Sequence, residues 1–191
     1  GLYGEGMGHF IAAAKTNVNI TVLVHNNQTY GLTKGQASPT TAEGVKTGST
    51  PLGVIEHPVN PLGIALTAGA TWVGRGYAAN IPMTKDLIVK AVRHEGFSHL
   101  DIFQPCVTWN KLNTQAWFIE HLEQLPADYV PNSKLKAWEQ SERGDKLPVG
   151  LFYETNEVLP FHKRLPNLDK GTLISQFPTS VDLTAAMSEF K

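Results

Sequence analysis

Residues Val22–Thr41 read VLVHNNQTYGLTKGQASPTT, a stretch that begins as a buried strand and ends as a loop with no apolar period. Two adjacent asparagines, Asn26 and Asn27, stand where the strand gives way to glycines, hydroxyls and Lys34. Open α/β folds bind ligands at the carboxyl ends of their parallel strands. Amide and carbonyl oxygens placed there are hard neutral donors that suit Mg²⁺, whose octahedral oxygen shell usually also takes carboxylate and phosphate. Asparagine pairs also form turns at strand ends, so the pair alone leaves both readings open.

Upstream, Asn19–Val24 is β-branched and almost continuously apolar, which predicts a strand covered on both faces. Phe10, Ile11, Ala13 and Ala14 make one apolar face and predict a short helix over Met7–Thr16. The opening GLYGEGMGHF reads as a glycine loop running into that helix. Nucleotide-type folds feed such a loop from a strand, so the sequence is read as one that has lost its beginning.

Downstream, residues 25–61 show no sustained period, and a run of that length inside a compact domain points to function or disorder. Pro61–Ala68 predicts a helix with proline in its first turn and Gly69 at its end, and Ala70–Val73 a short strand. Thr84 is expected to cap a helix carrying Leu87, Ile88, Ala91 and Val92, stopped by Gly96. His99–Gln104 is the next strand, and the alternation argues for parallel βαβ units. Beyond Cys106 only Thr114–Leu122 looks helical; scattered prolines and aromatics predict an irregular arm that wraps over the body or a partner.

The totals exclude several classes. With 191 residues, 41% of them hydrophobic, the chain can bury a core of its own. A net charge of −1 gives no basic footprint for nucleic acid. No apolar run approaches the roughly 20 residues that span a bilayer, so no membrane role is expected and a cytoplasmic location is. The single cysteine, Cys106, rules out an internal disulfide framework. The seven histidines form no ligand-spaced pair. His9 and His25 flank the Asn26–Asn27 loop, and His25 either lines a site there or is a satisfied strand-end histidine.

The run NNQTYGLTKGQASPTT resembles, almost letter for letter, the thiamine-diphosphate loop of 2-oxoacid:ferredoxin oxidoreductase β subunits. The segments GFSHLDIFQPCVTWNK and LPVGLFYE are similar to two further stretches of that family, so the likeness covers most of residues 1 to about 165. It implies an α/β, parallel-sheet thiamine-diphosphate-binding domain (the PP type) over residues 1–112, incomplete at its N-terminus. A C-terminal extension over residues 113–191 is expected to pack on the domain or a partner subunit. The function implied is oxidative decarboxylation of a 2-oxoacid to acyl-coenzyme A, with electrons passed to ferredoxin.

Site residues follow from the resemblance alone. The Asn27 side chain and the Thr29 carbonyl are the implied Mg²⁺ ligands. The metal's aspartate belongs to a Gly-Asp-Gly triplet that falls just upstream of Gly1. Gly4 and Gly6 are placed beside the cofactor, where lack of a side chain permits close approach. Tyr30, Gly31 and Leu32 complete the cofactor loop, with Leu32 expected under the thiazolium or merely as a loop anchor. Thr33, Lys34 and Gln36 are expected to face the 2-oxoacid or coenzyme A; Lys34 is alternatively a solvated loop lysine. Cys106 corresponds to one of four ligands of a [4Fe–4S] cluster, or is a buried small hydrophobe. One cysteine cannot hold a cubane, so no cluster is expected in this chain. The implied partners are an α subunit, as a heterodimer, and ferredoxin; the fragment alone is expected to be inactive. A non-redox thiamine-diphosphate decarboxylase or lyase, and a non-catalytic fragment, remain alternatives.

Overall fold

Helix α1 (Met7–Thr16) ends at Asn17, whose left-handed backbone (φ 53°) turns the chain into strand β1 (Ile20–Asn26). The computed structural model describes residues 1–177 and 182–190. A short hairpin, β2 (Thr29–Tyr30) and β3 (Gln36–Ala37), interrupts the loop predicted over residues 25–61. Helix α2 (Pro61–Ala68) follows as expected, with Asn60 capping it through Gly63 N–H and Gly69 closing it at φ 103°.

Strands β4 (Trp72–Tyr77) and β5 (Phe97–Phe103) flank helix α3 (Ile81–Arg93) and pair in parallel, and β1 pairs in parallel with β5. These are the expected βαβ units. Helix α3 starts a turn earlier than predicted because Asn80 caps it through Met83 N–H. Thr84 lies inside that helix, where its hydroxyl donates to Tyr77 O at 2.7 Å and accepts from Tyr77 N–H.

The remaining elements are α4 (Gln115–His121, capped by Thr114), β6 (Leu122–Gln124), α5 (Lys134–Ser141) and β7 (Leu147–Glu154). They are regular elements where an irregular arm was expected. Strand β7 adds antiparallel to β4, β6 adds parallel to β7, and the sheet runs β1-β5-β4-β7-β6. Phe152 and Tyr153 of β7 are buried with Phe10, Leu62, Val73 and Phe97. The compact unit accordingly runs from Gly1 to Phe161, past the boundary expected at residue 112. His162–Lys191 form a second unit of short 3-10 turns and helix α6 (Thr184–Ser188), and none of its described residues is buried. Residues 178–181 and 191 of the expected extension lie outside the described residues.

The sheet is covered on both faces where its strands are central. Helices α1, α2 and α5 pack with Val73, Phe97 and Phe152 on one side. Helix α3 packs with Trp72, Leu100 and Ile102 on the other. Every residue of β4 and β5 is buried. Strand β1 is not the doubly covered strand its composition suggested: it lies at the sheet edge, with Ile20 46% and Leu23 39% exposed. An apolar β-branched run specifies a strand but not its position in the sheet order.

One buried polar group sits in the middle of this core. His99 of β5 is fully buried, with the Phe10 ring 4.9 Å and the Tyr3 ring 5.8 Å from its own, both edge-on. Burial depresses its pKa to about 4, although the Asp101 charge opposes the shift. Between pH 6.5 and 4 the unfolded chain therefore binds a proton that the folded chain refuses, and stability falls as pH drops through that window. The expected loss from this residue is about 3 kcal/mol between pH 7 and pH 4. Urea denaturation across that range should show a shallower pH slope in His99→Phe than in the parent; equal slopes would contradict the assignment.

Candidate functional site

The carboxyl end of β1 is where the quoted stretch turns. Asn26 is buried, and its Oδ1 accepts from Thr40 Oγ1 at 2.7 Å and from Gln28 N–H at 3.2 Å. Its backbone carbonyl accepts from Gln104 N–H at 3.1 Å, which continues the β1–β5 pairing beyond the strand. Asn27 is half-buried, and its Oδ1 accepts from Thr29 N–H at 3.2 Å. Two consecutive turns of this kind, with Gln28 in the left-handed region (φ 57°), reverse the chain at the sheet rim. Thr41 Oγ1 donates to Gln28 O at 2.7 Å and fastens the turn from the far side of the hairpin.

A cavity of about 240 Å³ opens before this turn, walled by Gly1–Tyr3, by Val24–Tyr30 and by Ser38–Thr40. The structure thus brings together Asn27, Thr29 and Tyr30 from the expected site, with the glycine loop across from them. His25 is on the wall too, its Nδ1 2.7 Å from Gln104 Oε1, so it both lines the cavity and is satisfied. Gly4 and Gly6 stand beside the cavity and not on its wall. The close approach at Gly4 is to the protein itself, because a Cβ there would meet Tyr30 Oη at 2.5 Å. At Gly6 it would meet Leu2 Cα at 3.1 Å. Leu32, Thr33, Lys34 and Gln36 lie outside this cavity on the exposed part of the hairpin, Leu32 being fully exposed. His9 is exposed on α1.

The hairpin has a seat that sequence reasoning did not assign. Gly35 N–H donates to Tyr30 O at 2.9 Å, and at φ 87° a Cβ on Gly35 would come within 2.9 Å of Trp109 Cβ and 3.1 Å of its ring. Asn110 Nδ2 reaches Asn27 O at 3.4 Å and Asn113 Oδ1 at 2.9 Å. Trp109 and Asn110 therefore join the PCVTWNK segment to the Asn27 loop. Both lie within a motif whose cysteine alone had drawn attention. Cys106 is partly exposed, with Trp109 N–H 3.4 Å from Sγ. Burial pushes its thiol up. The N–H groups of Trp109, Asn110 and Thr108 and the Lys111 charge outweigh that, holding it below its ordinary value.

Behind the Asn26 turn lies a buried ionic network. Tyr3 Oη donates to Asp101 Oδ1 at 2.9 Å and lies 3.1 Å from His99 Nε2. Arg75 Nε donates to Asp101 Oδ2 at 3.3 Å, both side chains being at least nine-tenths buried. Burial, then the Asp101 charge, raises the Tyr3 pKa well above that of an ordinary tyrosine. The Arg75 guanidinium lies 4.9 Å from the Phe103 ring and faces a second cavity of about 290 Å³. That cavity shares Asn26, Gln28 and Thr40 with the first.

The donors present fit a magnesium–diphosphate group in part. Asn27 Oδ1 and Thr29 O are neutral oxygens of the right hardness, but no carboxylate is on the cavity wall. Among the described residues no three His, Cys, Asp or Glu side chains cluster as a metal site. The single cysteine does not fit a [4Fe–4S] cluster on its own. Also among the described residues, no helix is long and apolar enough to cross a membrane.

The Trp109 seat yields a direct expectation. Gly35→Ala combines a strained backbone with a clash, and should cost about 1–3 kcal/mol while shifting tryptophan emission. Unchanged stability and emission would show that the hairpin does not rest on Trp109.

Residues 1–102 match the model of the thiamine pyrophosphate enzyme C-terminal TPP binding domain. Residues 106–170 match the C-terminal model of the pyruvate ferredoxin oxidoreductase beta subunit. A 2-oxoacid:ferredoxin oxidoreductase subunit beta of Sulfolobus sp is 43% identical over 175 residues, covering 85% of this chain and 57% of that protein. The subunit beta of the same name from Saccharolobus solfataricus is 39% identical over 174 residues, with the same coverage. The chain thus spans about 57% of the length of these curated relatives. A solved 2-oxoglutarate:ferredoxin oxidoreductase from Magnetococcus marinus, with 2-oxoglutarate, coenzyme A and succinyl-CoA bound, superposes with a TM-score of 0.85 at 34% identity. The match covers 99% of this chain and 64% of that one. The parallel sheet, the Asn26–Thr29 turn at its rim and these likenesses agree: the chain belongs to the thiamine pyrophosphate enzymes, as a member of the 2-oxoacid:ferredoxin oxidoreductase β-subunit family.

Proposed function

We propose that the cavity at the end of β1 holds the magnesium and diphosphate end of thiamine diphosphate, and that the chain serves as part of a 2-oxoacid:ferredoxin oxidoreductase. The observation that carries this reading is the convergence of Asn27, Thr29 and the Gly1–Tyr3 backbone on one cavity. Its volume of about 240 Å³ falls below the roughly 300–1,000 Å³ of pockets that enclose a whole ligand. The diphosphate end fits that space, and the rest of the cofactor would lie against other chain segments.

The work divides among residues. Asn27 Oδ1 and the Thr29 carbonyl supply two neutral corners of the metal's octahedron. Asn26 Oδ1 is occupied by Thr40 and Gln28 N–H, and in this reading it holds the turn that aims the other two. The Gly1–Tyr3 wall offers backbone close to the diphosphate. Thiamine diphosphate supplies the electron sink for decarboxylating a 2-oxo acid, while the protein contributes position and electrostatics. Thr33 and Lys34, exposed at the hairpin tip, are proposed to meet the 2-oxoacid or coenzyme A where the site is closed by a partner α subunit; Lys34 offers a point charge to a carboxylate or phosphate. Cys106 is proposed as one ligand of a cluster completed by cysteines outside this sequence, with ferredoxin as acceptor. Its depressed pKa supports thiolate character. No electron-transfer step is assigned to this chain alone. The match of residues 106–170 to the ferredoxin oxidoreductase β-subunit model favours this reading over a non-redox lyase.

The two asparagines separate the claim from its structural alternative. In the native assembly, Asn27→Ala should weaken Mg²⁺-dependent thiamine diphosphate binding at least about tenfold, with a smaller stability loss than Asn26→Ala because only the half-buried Thr29 N–H loses its acceptor. Asn26→Ala should instead cost about 1–3 kcal/mol, because Thr40 Oγ1–H and Gln28 N–H lose their acceptor. Calorimetric titration beside thermal denaturation tests both. An Asn27→Ala protein that binds the magnesium–cofactor complex like the parent would remove the proposed ligand.

A further inference from the structure

We infer that Tyr3 is a positioning residue for the proposed cofactor site. In this inference, which rests on the thiamine diphosphate reading above, the buried Arg75–Asp101 pair holds the glycine loop in register with the Asn27 turn through the Tyr3 hydroxyl. Neither the resemblance nor the chemistry of the cofactor assigns a part to these three side chains.

The geometry is specific. Gly1–Tyr3 make one wall of the cavity, and Asn27 and Thr29 stand on another. Gly1 O accepts from Gly4 N–H at 3.2 Å and Gly6 N–H at 3.1 Å, which closes the loop into a compact turn. A closed turn still needs something to fix it to the sheet. Among Gly1–Gly8 only Tyr3 is buried. Its ring packs edge-on against Phe10 and His99, and its hydroxyl lies between His99 Nε2 and Asp101 Oδ1. The hydroxyl has one proton to give, and it goes to the carboxylate, the stronger acceptor. Asp101 is fully buried, Arg75 Nε holds its other oxygen, and the guanidinium lies over the Phe103 and Phe152 rings at 4.9 and 5.7 Å. A buried carboxylate needs every partner it has. The loop is thereby tied to β4 and β5, the two strands whose residues are all buried. On its outer side Gly4 abuts the Tyr30 hydroxyl, so a shift of the loop would be passed to the Asn27–Tyr30 segment.

The variant Tyr3→Phe keeps the ring and removes only the tie. A control, Thr84→Val, removes a buried hydroxyl bond to Tyr77 O that touches neither loop nor cavity. Each is measured in the native assembly by titration with thiamine diphosphate and Mg²⁺ and by hydrogen exchange at the Gly4 and Gly6 amides. Tyr3→Phe is expected to raise the cofactor dissociation constant at least fivefold and to speed exchange at both amides by a similar factor. Thr84→Val is expected to lower the thermal midpoint while leaving both quantities within twofold of the parent.

Unchanged exchange in Tyr3→Phe overturns the tie. Faster exchange with unchanged cofactor affinity overturns the positioning role and leaves the thiamine reading standing. Equal weakening in both variants makes the effect general destabilisation and also overturns it. A parent protein that binds no cofactor brings down the thiamine reading first and this inference with it.

Discussion

The bond from Thr40 Oγ1 to Asn26 Oδ1 is the constraint on which the proposed site depends. At the end of a parallel strand the backbone has used its ladder partners, and the next residues are free to leave the sheet in any direction. Asn26 removes that freedom by spending its side chain inside the protein, on Thr40 and on its own turn. Asn26 is buried and its Oδ1 is occupied in this way, while Asn27 is half-buried; both stand on the cavity wall. Two identical neighbours thus differ by burial and by one bond: each closes a turn through its Oδ1, and Asn26 alone also accepts from Thr40.

Around that turn the structure stacks supports of different kinds. Thr41 fastens Gln28 O, Asn110 reaches Asn27 O, and Trp109 forms a floor beneath Gly35. These residues come from opposite ends of the βαβ unit, and parallel β1–β5 pairing brings them to one edge of the sheet. The fold therefore explains why motifs separated by some 80 positions work together. The sheet sets their distance, and short polar side chains set their orientation. A site built this way is rigid where the metal would sit and exposed where Leu32, Thr33 and Lys34 project.

Much of this was legible in the sequence. Helix α1, helix α2 with its Pro and Gly punctuation, helix α4 and the parallel alternation all follow from local periodicity and capping chemistry. The Asn27–Tyr30 loop was visible because its residues are contiguous. What escaped was set by distant contacts. Strand β1 reads like a buried strand yet is an edge, since composition does not carry strand order. Thr84 has the chemistry of a cap, but Asn80 precedes it and Tyr77 offers the hydroxyl a better partner. The sequence after Cys106 looks coreless because its apolar residues are spaced by prolines. Strand β7 finds its core on β4, whose position no local signal announces. The Tyr3–Asp101–Arg75 network joins residues 98 and 26 positions apart, and no spacing rule reaches that far.

The central claim is a coordination geometry, and anomalous diffraction reads it directly. Crystals of the native assembly loaded with thiamine diphosphate and Mn²⁺ in place of Mg²⁺ should show one strong anomalous peak at the rim of β1. That peak should lie about 2.0–2.3 Å from both Asn27 Oδ1 and the Thr29 carbonyl oxygen. A peak away from both oxygens, with the cofactor bound and ordered, would contradict the account.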